Sequence, residues 1–76
     1  MSRAGGLDIQ NDVIEKRRRI VALHEYAYGE FDPEVTGELW LLEEALVDAG
    51  RVQEAKDVEN DVMRRLDWIC SQLSIL

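Results

Sequence analysis

A single histidine and a single cysteine bound the chemistry open to this 76-residue chain. His24-Glu25 begins like a zinc-protease helix, but no second histidine stands four residues on. One His and one Cys do not assemble a structural zinc site, which takes four ligands. A thiol nucleophile needs a histidine beside it, and Cys70 has no basic neighbour in sequence. Cys70 is therefore expected to be a small buried apolar residue, and His24 a packed or surface one. Carboxylates are plentiful at Glu38, Glu43, Glu44, Asp48, Glu54, Asp57, Glu59 and Asp61. Paired carboxylates do acid–base work in glycosidases and aspartic proteases. Here they fall largely on the polar faces of helices, where solvated acids belong. Glu43 and Glu59 stand closest to apolar positions. They are expected to pair with Arg64 or Arg65, or to prevent unwanted association. No catalytic, metal-binding or cofactor-binding residues are expected, and the chain reads as a non-enzyme.

Its charge speaks to partners. The net charge is −7, and residues 1–31 contribute none of it: Arg3, Lys16, Arg17, Arg18 and Arg19 offset Asp8, Asp12, Glu15, Glu25 and Glu30. From residue 32 onward Arg51, Lys56, Arg64 and Arg65 face eleven acids. Such a surface repels phosphate and favours basic partners, so direct nucleic-acid binding is disfavoured. The basic run Lys16–Arg19 points almost all the way round a helix and so does not form one patch. No apolar run approaches the roughly 18 residues of a membrane span. The start Met-Ser-Arg-Ala-Gly-Gly has no apolar signal segment. A lone cysteine, which can form no disulfide within its own chain, suits a reducing compartment, so the expected location is the cytoplasm.

Three helices must position these groups. Residues 1–7, with Gly5 and Gly6, read as a flexible start. A first helix is expected over about 8–28, with Asp12 and Glu15 spaced like a capping box. Ile9, Val13, Ile20, Leu23 and Ala27 lie on one stripe, with Ile14, Val21 and Tyr28 beside it. Gly29 is placed to end this helix in the left-handed region. Asp32 then caps a second helix over about 33–49, with Pro33 in its first turn and Glu34 at the positive end of its dipole. Val35, Leu39, Leu42, Leu46 and Ala49 form its stripe. Trp40, Leu41, Ala45 and Val47 widen it enough to suggest burial on more than one side. Gly50 ends it. The third helix covers about 51–74, where Val52, Ala55, Val62, Leu66, Ile69, Leu73 and Leu76 alternate by threes and fours, interrupted at Glu59. From Val62 onward this spacing matches a coiled-coil seam.

The segment Leu39-x-x-Leu42-x-x-Ala45-Leu46-x-x-Ala49-Gly50-Arg51-Val52-Gln53-Glu54-Ala55 resembles the middle of a tetratricopeptide repeat, and the likeness extends over about residues 33–66. Gly50 matches the turn glycine, Ala55 the packing alanine, and Leu39, Leu42 and Leu46 the large apolar positions. Glu43 stands where the family has a small residue, Glu59 where it has an aromatic one, and Val62 where it has a second alanine. One unit is present, whereas arrays of such repeats need about three to bury a continuous core. The resemblance implies an antiparallel helical hairpin and a protein-interaction role.

The expected architecture is thus a single all-α domain over 1–76: an antiparallel helix–turn–helix hairpin with the first helix packed across it. A chain this short buries only about 60% of the surface it exposes when unfolded, so support from a second chain is expected. Leu66, Ile69, Leu73 and Leu76 are the candidate homodimer contacts. The expected function is an acidic adaptor or regulator that binds a basic or helical protein. Its candidate contacts are Trp40, Glu43, Glu44, Asp48, Glu54, Asp57 and Trp68, since aromatics often anchor interfaces and acids steer basic partners. The alternative is a small inhibitor whose acids imitate a nucleic-acid backbone and block a nucleic-acid-binding protein.

Overall fold

A computed structural model describes the backbone of residues 2–75 and the side chains of residues 9–73. The described chain is three helices in the order α1 (Ser2–Tyr28), α2 (Pro33–Asp48) and α3 (Val52–Ile75). The two turns are short, so successive helices run antiparallel. Both turns are closed by glycine at positive φ, 93° at Gly29 and 77° at Gly50. After α2 the Gly50 N–H donates to the Val47 carbonyl and the Arg51 N–H to that of Leu46, the paired bonds of a Schellman ending. At the other end of α2 the Asp32 carboxylate accepts from the Glu34 N–H at 2.9 Å, with Pro33 next in line. These signals act as the sequence expects.

The start of α1 differs. It runs from Ser2 through Gly5 and Gly6, where a flexible start is expected. Glycine is a poor helix former, but extending an existing helix costs far less than starting one. Asp12 therefore sits inside the helix and caps nothing; it pairs with Lys16 at 3.1 Å, one turn on.

α2 is the central element, with α1 on one side and α3 on the other. Among the described residues no Cα of α1 comes within 8 Å of α3. Closed bundles set helix axes about 8–10 Å apart, so this is an open, shallow V. Its extents are 57 × 24 × 12 Å. The long axis exceeds any one helix because the outer helices overhang. At 1.5 Å per residue, α2 is about 24 Å long, α1 about 40 Å and α3 about 36 Å. α1 overhangs the C-terminal end of α2, and α3 overhangs the N-terminal end.

The core is Ile14 and Val21 from α1, Val35, Leu39, Leu42 and Leu46 from α2, and Ala55, Val58 and Val62 from α3. Ala45, Ala49 and Leu66 pack at its edge. Each large side chain fully buried contributes roughly 1.5–3 kcal/mol. The V explains which face each helix buries. α1 touches one neighbour and buries a narrow stripe. The expected stripe, Ile9, Val13, Ile20, Leu23 and Ala27, lies outside, with Ile9 and Leu23 67% and 65% exposed. Its flank, Ile14 and Val21, is the buried set. On α2 the burial is one-sided, and Trp40, Leu41 and Val47 are exposed rather than enclosed by a second layer. On α3, Val52 and Met63 are exposed while Val58 is buried. Cys70 is exposed rather than buried, because α3 has outrun α2 there.

Candidate interaction surface

The open V leaves a groove between α1 and α3, with α2 as its floor and a volume near 430 Å³. Leu39 and Leu42 of α2 form the base. Val21 and Ala22 of α1 and Val58 of α3 extend the apolar strip up the sides. The rims are charged: Arg18 and Glu25 on α1, and Glu54, Asp57, Asp61 and Arg65 on α3. That is four carboxylates against two guanidiniums.

Helical spacing sets these rims. Asn11, Arg18 and Glu25 recur every seven residues, about two turns, and so share one side of α1. Two reach α3 and the third the residue before it: Arg18 donates to Glu54 at 3.1 Å, Glu25 accepts from Arg65 at 2.6 Å, and Asn11 accepts from Arg51 at 3.4 Å. These pairs tie together two helices whose backbones do not touch. Arg65 is the strongest tie. Its side chain is only 6% exposed, and it also donates to Asp61 at 3.0 and 3.2 Å and to the Glu30 carbonyl at 2.6 Å. Burial pushes the Asp61 carboxyl upward, but hydrogen bonds from Arg65 and Arg64 outweigh it and hold it below the usual carboxylate range. Burial works against the Arg65 cation, and the bonds to Asp61 and Glu25 more than compensate, raising its pKa. Glu54 is held low chiefly by its hydrogen bonds from Arg51, with Arg18 adding to them. Asp57 accepts from Gln53 at 3.1 Å and makes no ion pair among the described residues. Its charge faces the groove uncompensated.

A second, smaller depression of about 240 Å³ lies between α1 and α2. It is lined by Ile9, Gln10, Val13 and Arg17 of α1 and by Leu41, Glu44, Ala45 and Asp48 of α2. At 100° per residue these positions are on the other side of both helices from the first groove, on the convex face of the V.

The residues expected to bind a partner are divided among these places. Glu54 and Asp57 stand on the groove rim, while Glu44 and Asp48 line the convex depression. Trp40 is partly exposed on α2, and Glu43 is half-buried. Trp68 stacks on Phe31, ring centroids 4.1 Å apart, with the Arg64 guanidinium 5.9 Å from the Phe31 centroid. This clasp holds the α1–α2 turn against α3. Of the expected homodimer contacts, Leu66 packs on the core edge, Ile69 is half-buried and Leu73 is exposed. Leu76 lies outside the described residues. Arg64 and Arg65 do not pair with Glu43 or Glu59; both take Asp61, and Arg65 adds Glu25. Sequence reasoning missed Arg18, Glu25, Asp61 and Arg65 as groove residues. The four-residue spacing of Asp61 and Arg65 was a usable signal for their pair. Nothing local in the sequence joins Glu25 to Arg65. The basic run is dispersed: Lys16 pairs with Asp12, Arg17 lines the convex depression, Arg18 crosses to Glu54, and Arg19 is exposed.

His24 is half-buried and meets Tyr28 edge-on at 5.7 Å. Among the described residues no three His, Cys, Asp or Glu side chains are grouped to hold a metal ion. None of the described helices is long and apolar enough to cross a membrane. The chain matches no protein-family model, no curated protein and no solved structure.

Proposed function

We propose that this protein is a small interaction module, an adaptor or regulator without catalysis of its own, acting in the cytoplasm. It receives a basic helical segment of a partner protein in the groove between α1 and α3. The observation that carries this reading is the groove itself: a cleft between α1 and α3 over the apolar side chains of Leu39 and Leu42, bordered by four carboxylates and two guanidiniums. An amphipathic helix buries its apolar stripe in such a groove and sets its charges against the rims. Lysines and arginines on that segment meet Asp57 first, since it has no cationic partner among the described residues. The tetratricopeptide-like hairpin is compatible with this role, and its helix α2 supplies the floor. The charge-mimic alternative requires Glu43, Glu44, Asp48, Glu54 and Asp57 to act as one surface, and their division between two faces favours the groove.

The test is site-specific photocrosslinking from position 57 in the full chain, followed by mass spectrometry of the captured segment and binding of that segment as a synthetic peptide. The expected segment is basic and amphipathic, and its binding is lost in Ala22→Arg, which fills the groove, and in Asp57→Lys, but kept in Glu44→Lys. A captured segment that is acidic, or binding indifferent to Ala22→Arg, overturns the proposal. Binding abolished by salt and by Glu44→Lys alike would favour the charge mimic.

A further inference from the structure

The convex face carries the apolar stripe of α1 that the fold leaves uncovered. Ile9, Val13, Ile20 and Leu23 are exposed along it, and Leu41 of α2 stands exposed beside them. Contiguous apolar surface of this kind on a small chain marks an association site. The charges around it identify the occupant. Arg18 and Glu25 turn to the groove; of the other charges within residues 9–28, Lys16, Arg17 and Arg19 outnumber Asp12 and Glu15, so the rest of this part of α1 is net basic. α2 carries Glu34, Glu38, Glu43, Glu44 and Asp48 and no basic residue. Arg17, Glu38, Glu44 and Asp48 make no ion pair among the described residues. Lys16 is held only by Asp12, and both are largely exposed. The face is therefore divided lengthwise into a basic α1 half and an acidic α2 half, and Ile9, Val13, Ile20, Leu23 and Leu41 form an apolar band along it.

We propose that this face binds a second copy of the chain. A two-fold interface must be complementary to itself, and a basic half beside an acidic half meets that condition. A two-fold axis running along the helices lays α1 of each copy over α2 of the other. Every helix in the resulting four-helix arrangement then neighbours only antiparallel ones, the geometry of up-and-down bundles. Such an axis also keeps residues at their own level along the bundle. Gln10 donates to the Asp48 carbonyl, and Arg17 shares its depression with Leu41 and Glu44, so the register of α1 on α2 is known. Lys16 and Arg17 of one copy then stand level with Glu38, Leu41 and Glu44 of the other. Val13, Ile20 and Leu41 meet their counterparts across the apolar band. An unrelated partner would need the same two-sided charge pattern, which the chain already supplies. The proposal concerns the opposite face from the groove and stands or falls independently of it.

The experiment is light scattering across a concentration series on the full chain and on two exposed-site variants, Lys16→Glu/Arg17→Glu and Glu38→Lys/Glu44→Lys, with far-UV circular dichroism to establish that each is folded. The wild type is expected at twice its 8.7 kDa chain mass. Each variant alone is expected to weaken the dimer about tenfold or more in Kd, and mixing the two is expected to restore a dimer of one chain of each. A wild type that stays monomeric at millimolar concentration overturns the proposal. So does a dimer that withstands both charge reversals and is lost in Leu66→Asp/Leu73→Asp, which would assign association to α3.

Discussion

Replacing Arg65 with alanine tests the claim that polar ties, rather than backbone packing, hold α1 to α3. The guanidinium is nearly enclosed and bonds Glu25, Asp61 and the Glu30 carbonyl. Hydrogen bonds to charged groups are worth about 1.5–3 kcal/mol each in net terms. Removing one partner of a fully buried pair costs about 3–5 kcal/mol. Glu25 and Asp61 are each about one-third exposed and regain water when Arg65 is gone, which lowers the cost. The alkyl stem also loses its packing, which raises it. The expected loss is about 2–4 kcal/mol. A chain of this length has roughly 4–11 kcal/mol in all, so the change is a large share of the total. Urea unfolding followed by circular dichroism measures it, and the melting temperature should fall on the order of 10 °C or more. Arg65→Lys should recover only part, because an ammonium does not span three acceptors in a plane. A double-mutant cycle with Glu25→Gln isolates the tie between helices and should give a coupling of about 1 kcal/mol or more. If Arg65→Ala shifts stability by less than about 1 kcal/mol, the cost of burying the cation cancels its bonds and the reasoning fails.

Two further substitutions probe the elements around this tie. Gly50→Ala should cost about 1–2 kcal/mol, measured by the same unfolding curves. A Cβ there meets no atom within 4 Å, so the whole penalty is the left-handed backbone. Asp61 predicts a pH dependence. Its pKa in the folded chain lies below the ordinary value, so its contribution is complete above the unfolded carboxyl pKa of about 3.9 and is lost as pH falls through the folded value. The urea midpoint should therefore drop between neutral pH and about pH 3, and Asp61→Asn should show a smaller drop over that range. An equal drop in both proteins would assign the acid sensitivity to other carboxylates.

Much of the fold was legible because its punctuation is local. Asp32-Pro33 and the glycines at 29 and 50 act through their own backbone geometry and need no tertiary context. The three buried leucines and the buried valine of α2 were legible for a related reason: α2 lies between both neighbours, so its strongest stripe is the one covered. α1 was not legible in the same way. Its apolar residues form two sets about 100° apart, and periodicity ranks the larger set first. The smaller set is buried, because α1 meets one helix and the residues beside Ile14 and Val21, namely Arg18 and Glu25, are needed to reach α3. Cys70 and Leu73 were misjudged or left exposed for a matter of length. Their stripe continues along α3, but the partner surface of α2 ends first. The groove was invisible for the same physical reason as Arg65: its parts come from three helices, and no spacing within one helix reports what faces it across a gap.

The division of faces follows from the central position of α2. α1 and α3 both pack on it and not on each other, which separates a concave side from a convex one. Closing the V would bury little more of Val21, Leu39, Leu42 and Val58, which are at most 9% exposed already. It would bring the charges of Arg18, Glu25, Glu54, Asp57, Asp61 and Arg65 out of water, at a cost that pairing offsets only in part. The rims therefore hold the V open while Arg65 and Arg18 keep it from opening further. What the concave side gains in charge, the convex side retains as apolar surface, since the hydrophobic residues of α1 exceed what one neighbour can cover. An isolated chain keeps Ile9, Val13, Ile20, Leu23 and Leu41 in water, and covering them strengthens the hold on α1 without disturbing the groove. As proposed, one face completes the fold with a second copy while the other receives a different partner.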